Sequence, residues 1–255
     1  MKNKISYIVL LTCMAVLTKC NNYQQEPTQA MPEEGTTAKS AKERAWDFPV
    51  KPGTEAWKQA KSWRDNVDAC QIPENVLYSL TTEDLAGICS EYPFLPFFNA
   101  FNDWRVGIDM QFEDFNGLRE LFQREDVSQA LVKLYQEKIQ GLPASLKEDE
   151  ASVYFATLDI LLSCYRSPDE ANQENYREIL RQLVTGYEKK ITYPEFGGFL
   201  YNTNYFARAR IIEKMSPKSV ISRVPRGENN FVFFNCVNDM KTCDVINELS
   251  YQLIK

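Results

Sequence analysis

Apolar side chains recur at steps of three and four along most of this chain, the spacing of one buried face on an α-helix. Thr54 opens the first such run, in which Trp57, Ala60, Trp63, Val67 and Cys70 predict a helix that ends before Pro73. Thr81-Thr82-Glu83-Asp84 precedes a second, carried by Leu85, Ile88 and Cys89 and stopped at Pro93. The aromatic stretch from Phe94 to Trp104, interrupted by Pro96, predicts short helical turns packed on their neighbours. Phe112, Phe115, Leu118, Leu121 and Phe122 continue the spacing, with Asn116-Gly117 as a tight break between two helices. Asp126 then caps a helix over 127–139, and Gly141-Leu142-Pro143 is its stop.

Residues 146–166 form the most apolar segment. Val153, Phe155, Leu158, Ile160, Leu161 and Leu162 nearly encircle the axis, as in a helix surrounded by other helices. Ser167-Pro168-Asp169-Glu170 reads as a cap, an N1 proline and first-turn acids for the next helix. Its stripe is Tyr176, Ile179, Leu180, Leu183, Val184 and Tyr187. After Gly197-Gly198 another helix runs from about Tyr201 to Met215, and Val245, Leu249 and Leu253 carry a last one over 239–254. Between these two, Val220 to Val224 and Phe231 to Phe234 flank Pro225-Arg226-Gly227-Glu228, residue types that suit a small β-hairpin. The expected fold class is all-α, an irregular array of antiparallel helical pairs with that C-terminal hairpin as an addition. No fixed-period repeat indicates a regular solenoid.

The first 45 residues depart from this pattern. Lys2 and Lys4 precede an apolar run from Ile5 to Thr18. About 14 residues match a secretory core and are too few to cross a bilayer about 30 Å thick. The run ends in Leu17-Thr18-Lys19-Cys20, which resembles a bacterial lipobox with Lys19 in place of the usual small residue. Leu10-Leu11-Thr12-Cys13 is a second candidate, but it leaves an apolar core of only about seven residues. The expected organisation is a lipoprotein signal peptide over 1–19, a flexible tether over 20–45 and a helical domain over 46–255. Acylated Cys20 would anchor the protein in the cell envelope, on the outer rather than the inner membrane. Residues 21–45 are polar, with Pro27, Pro32 and Gly35, and would span on the order of 25–30 Å as a coil.

Composition narrows the chemistry. There is no histidine in 255 residues, which excludes Ser-His-Asp and Cys-His nucleophile pairs, His-ligated zinc or haem, and an imidazole base. Removing 1–19 takes three lysines and no acid, so 26 basic residues face 35 acidic ones and the formal charge moves from −6 to −9. Such a body is unsuited to nucleic acid or to a polybasic grip on lipid. No phosphate loop and no C-x-x-C occurs, so neither cofactor nor metal is expected. Among the cysteines beyond Cys13 and Cys20, Cys70 with Cys89 and Cys236 with Cys243 are candidate disulfides, and Cys164 is a candidate core residue.

Two features could carry chemistry. Asp159 is a lone carboxylate in an apolar helix, the setting of a raised-pKa acid. It also falls on a thin polar stripe with Ser152, Ser163 and Arg166, where an Asp159 to Ser163 contact at i, i+4 is the structural expectation. Tyr193, Phe196, Phe199, Tyr201 and Tyr205, with Asn202 and Asn204 between, make a candidate sugar-stacking surface, although core packing is the favoured expectation because aromatics at helical spacing usually face inward. Glycoside hydrolysis needs only two carboxylates at a set separation, and none of the 35 acids stands out as such a pair.

Residues 49–140 carry a further signal. Pro49-Val50-Lys51-Pro52-Gly53-Thr54-Glu55, Ala69-Cys70-Gln71-Ile72-Pro73-Glu74, Thr82-Glu83-Asp84-Leu85 with Tyr92-Pro93, and Phe115-Asn116-Gly117-Leu118-Arg119-Glu120-Leu121 follow in that order. The combination resembles an uncharacterised family of exported proteins and lipoproteins from Bacteroidetes. The resemblance implies export and lipid anchoring and brings no catalytic residue with it. Longer members carry a C-terminal Cys-His motif, and a chain without histidine would lack that chemistry. The expectation is a non-enzymatic envelope lipoprotein that binds a protein or glycan partner. The alternative is a carboxylate-dependent glycan-active enzyme or glycan-binding accessory protein.

Overall fold

Two short helices follow the turn at Gly53, whose φ of 86° is open to glycine and strained for other residues. A computed structural model describes residues 46–141, 148–167, 173–193, 197–215 and 240–255. Helix α1, Glu55–Gln59, begins where Thr54 Oγ1 accepts from the Trp57 amide at 3.3 Å. Helix α2, Trp63–Ala69, begins at Ser62. One continuous helix was the expectation here, and the break has a local cause. Ser62 and Asp65 form a reciprocal capping box, while Ala60 adopts an extended conformation, so the backbone restarts a helix within the same apolar spacing. Helix α3, Glu74–Leu77, follows Pro73 and completes the first of two compact units, which ends at Ser79.

The second unit runs from Leu80 to Lys255. Its elements are α4 (Thr82–Ser90), a 3-10 turn (Leu95–Ala100), α5 (Trp104–Asp114), α6 (Asn116–Leu121), α7 (Val127–Gln140), α8 (Glu148–Ser163), α9 (Gln173–Lys190), α10 (Gly197–Met215) and α11 (Met240–Leu253). The fold class is all-α: among the described residues 74% are helical and none lies in a strand. The expected hairpin over 220–234 and the cap at Pro168-Asp169-Glu170 lie outside the described residues. No helix among the described residues is long and apolar enough to cross a membrane.

The break between α5 and α6 falls one residue earlier than Asn116-Gly117. Phe115 is extended, with φ −122° and ψ 119°, and Asn116 and Gly117 form the first turn of α6. Burial fixes the break there, because the Phe115 ring stacks on Tyr92 with centroids 4.1 Å apart. Asp126 precedes α7 but makes no side-chain cap. Its carboxylate instead accepts from Thr82 Oγ1 at 2.6 Å and ties α7 to α4.

α8 packs against both α10 and α7, and α9 lies against α7, α10 and α11. The encirclement expected of α8 is present, since every residue over 155–165 is buried. Trp104 meets Phe98 and Phe206 edge to face, joining α5, the 3-10 turn and α10 in one aromatic cluster. A methyl group on Gly107 would stand 2.5 Å from the Phe98 carbonyl oxygen, so only glycine lets α5 approach the 3-10 turn this closely.

Candidate functional site

The most concentrated ionisable chemistry lies inside the four-helix region made by α7 to α10. Asp159 and Lys190 are both fully buried, and Lys190 Nζ stands 2.8 Å and 2.7 Å from the two carboxylate oxygens. Tyr135 of α7 donates its hydroxyl to Asp159 Oδ1 at 2.7 Å and lies 3.3 Å from Lys190 Nζ. The ammonium also faces the rings of Tyr135 and Phe155 at 5.5 Å and 5.9 Å. Burial lowers the Lys190 pKa, while Asp159 opposes the shift. Burial and the adjacent carboxylate push Tyr135 well above the ordinary phenol range. The group is therefore an ion pair with a neutral phenol locked on one oxygen. The Asp159 to Ser163 contact does not form. Ser163 Oγ donates to the Ile160 carbonyl at 2.7 Å instead, because Lys190 draws the carboxylate across to α9.

A second polar group adjoins it between α9, α10 and α11. Arg208 is fully buried; its Nε donates to Ser250 Oγ at 2.9 Å, and its Nη2 donates to Asn247 Oδ1 at 2.8 Å and to the Ile246 carbonyl at 3.5 Å. Its guanidinium carbon lies 5.5 Å and 5.4 Å from the ring centroids of Tyr187 and Tyr205. Those two hydroxyls share a hydrogen bond of 2.9 Å, and Asn247 Nδ2 donates to Tyr205 at 3.1 Å. Burial lowers the Arg208 pKa and raises that of Tyr205. At the surface Tyr251 donates to Glu188 at 2.7 Å and so links α11 to α9.

The expected stacking residues separate in depth. Tyr205 is buried within this network, whereas Tyr201 and Tyr193 are half-buried, and the Tyr201 ring meets Tyr187 edge to face at 6.2 Å. Phe196 and the Phe199 side chain lie outside what is described. Among the described residues the ring that meets Tyr201 is Tyr187, and the exposed Tyr251 is tied to the next residue of α9, Glu188, by its hydroxyl. Tyr187 and Tyr251 come from helices that were not included in the expected set.

Cys70, Cys89 and Cys164 are buried free thiols, so the expected Cys70–Cys89 bridge is not formed; Cys243 is buried as well, and its expected partner Cys236 lies outside the described residues. Burial pushes Cys70 up to about 12 and raises Cys89 and Cys164, which keeps these thiols protonated and unreactive. Cys164 donates to the Ile160 carbonyl within the aromatic cluster, as a small core residue does. Among the described residues no three His, Cys, Asp or Glu side chains gather as metal ligands.

Lys214 caps the other end of this assembly, donating to the carbonyls of Ser163 and Tyr165 at 2.7 Å and 2.6 Å where α8 ends. Burial, helped by Arg210, brings its amine down to about 7 from 10.5. Between those values the unfolded chain binds more protons than the folded one, so the contribution of Lys214 to stability rises with pH through that window and is lowest below it. The stability of the wild type minus that of Lys214→Met should therefore grow from about pH 7 to about pH 10, by at most about 1.4 kcal/mol per pH unit. Urea midpoints across the range measure this, and a difference that is flat with pH would contradict it.

Lys190 and Arg208 were not singled out as site residues from sequence, yet a signal was present. Lys190 extends the stripe Tyr176, Leu180, Leu183, Tyr187 by one more step, and Arg208 follows Tyr201 and Tyr205 in the same way. A charged residue on a buried stripe requires a partner inside the fold. Fold and site together define an all-α protein with a hydrogen-bonded ionic core and tyrosines linked to it. Comparison of the chain with protein-family models, with curated proteins and with solved structures returned no match.

Proposed function

We propose that the protein is a cell-envelope lipoprotein, acylated at Cys20, whose helical body is a non-enzymatic binding module for a protein or glycan partner. The observation that carries this reading is the N-terminal arrangement: Lys2 and Lys4, the apolar run to Thr18, Cys20, and then a polar stretch of 25 residues over 21–45. The ordered motifs from Pro49 to Leu121, which resemble exported Bacteroidetes proteins, support it. In this reading attachment rests on the acyl chains, because none of the described helices can cross a membrane. Two or more chains give stable anchoring, each buried methylene contributing about 0.8 kcal/mol. The partner surface in this reading is Tyr187 with Tyr201 and Tyr251, where rings on three helices offer stacking area beside the exposed Glu188 carboxylate.

Metabolic acyl labelling and membrane fractionation of Cys20→Ala test the anchor. Loss of label and transfer of essentially all of the protein out of the membrane fraction is the expected result; unchanged partitioning with label retained overturns it. Crosslinking in intact cells followed by pull-down tests the binding module. Capture that is weakened by Tyr251→Ala supports it, and turnover of a glycan by the purified protein would favour the enzyme alternative.

A further inference from the structure

Lys190 and Asp159 are an amine and a carboxylate that meet with no solvent exposure on either side chain. Nζ stands 2.8 Å from Oδ1 and 2.7 Å from Oδ2. A nitrogen that close to both oxygens is also close to the carbon between them, within the about 3–3.5 Å from which bond formation starts. The third group at this centre is a donor rather than a second acid: the Tyr135 hydroxyl donates to Oδ1 at 2.7 Å. The rings of Tyr135 and Phe155 flank the nitrogen, with centroids at 5.5 Å and 5.9 Å.

This arrangement suits a condensation as well as an ion pair. Burial disfavours the separated charges and lowers the Lys190 pKa, which favours the neutral, nucleophilic amine. An amide in the same place carries no charge, and Tyr135 can keep donating to its oxygen. Anchorage on α8 and α9 holds the two groups together, and well-oriented pairs reach effective concentrations of about 10⁵–10⁸ M. Exclusion of bulk water opposes hydrolysis of the product.

We propose that Lys190 Nζ and Asp159 Cγ condense after folding into an intramolecular isopeptide bond that ties α8 to α9. One proton passes from the ammonium to Asp159 Oδ2, which leaves a neutral amine beside a carboxylic acid. A small tilt of Nζ out of the carboxyl plane directs its lone pair at Cγ, and the C–N bond forms as the carbonyl electron pair moves onto Oδ1. Tyr135, already aimed at Oδ1, stabilises that oxyanion. A second proton then passes from the nitrogen to Oδ2, the Cγ–Oδ2 bond breaks, and Oδ2 departs as water. Ammonium and carboxylate thus become amide and water, and no oxidant or reductant is consumed. The chain folds through the ion pair and the amide follows it. Neither the lipid anchor nor the partner surface takes part.

Mass spectrometry of the full chain, denatured before measurement, tests this. The wild type should be one water lighter than the same chain with free side chains, and a tryptic digest should contain residues 148–166 joined to a peptide that includes Lys190. Lys190→Arg keeps a cation opposite Asp159 but should show the full mass and no joined peptide. Tyr135→Phe should slow the linkage by about a hundredfold, read as the linked fraction against time in freshly synthesised protein. If either variant does not fold, the wild-type mass and digest decide alone. A folded wild type that keeps its full mass overturns the proposal, as does a water deficit that persists in Lys190→Arg. Linkage at the wild-type rate in Tyr135→Phe overturns the role given to that hydroxyl.

Discussion

Lys190→Met is expected to destabilise the protein by about 3–5 kcal/mol, because it strands a fully buried Asp159 whose two oxygens the ammonium now holds at 2.8 Å and 2.7 Å. Methionine fills nearly the same volume, so packing is largely kept and the loss reports the charge. Asp159→Asn alone should also destabilise, since it leaves the ammonium buried without its anion. The double variant Asp159→Asn/Lys190→Met should recover more than half of the sum of the single losses. With neither charge present, Tyr135 can still donate to the carboxamide oxygen that replaces the carboxylate. Denaturant unfolding followed by far-UV circular dichroism measures all three. Additive single losses would show that the two charges are not energetically coupled.

Gly186→Ala is expected to cost about 3 kcal/mol, although alanine is the better helix former by about 1 kcal/mol. Gly186 is buried in α9 against Tyr135, and an added Cβ would stand 2.8 Å from ring carbons Cε1 and Cζ and closer still to the hydroxyl oxygen. Tyr135 cannot yield cheaply, because its hydroxyl is fixed on Asp159 and its ring is buried. Relief of the clash therefore breaks a buried hydrogen bond to a charged group, which adds about 1–3 kcal/mol to the steric strain. In a Tyr135→Phe background the closest clash is gone, so the further loss from Gly186→Ala should fall to about half. An undiminished loss in that background would place the strain elsewhere than at the hydroxyl. Gly186 is thus part of the ionic core without contributing a side chain to it.

The helices were largely legible in the chain because burial on one face imposes its period directly on local sequence. α9 shows this best: its stripe from Tyr176 to Val184 is buried throughout. The boundaries were less legible. Nothing in apolar spacing reveals that Ser62 and Asp65 will close a box and split one expected helix into α1 and α2, since both halves keep the same phase. Asp126 was expected as a cap on equally good local grounds, and Thr82, 44 residues earlier, took its carboxylate. A cap competes with any partner that the tertiary fold brings near.

The candidate site was half legible. Asp159 stood out as a carboxylate in an apolar helix, and the expected neighbour was Ser163, four residues away. Its actual partners, Tyr135 and Lys190, lie 24 and 31 positions away in sequence. The tyrosines show the same limit. Tyr201 and Tyr205 share a helix and were grouped from sequence, but their depths differ because Arg208 and Asn247 hold Tyr205 inside.

The sequence by itself determined the class of fold, the absence of imidazole chemistry and the acidic balance of the body, because periodicity, composition and net charge are sums over local positions. Only the tertiary structure decided which charges neutralise one another, that Gly186 makes room for Tyr135, and that an amine, a carboxylate and a phenol meet where no solvent reaches. Pairing is a property of distance in space, and the chain sets that distance only after α7, α8, α9, α10 and α11 have packed.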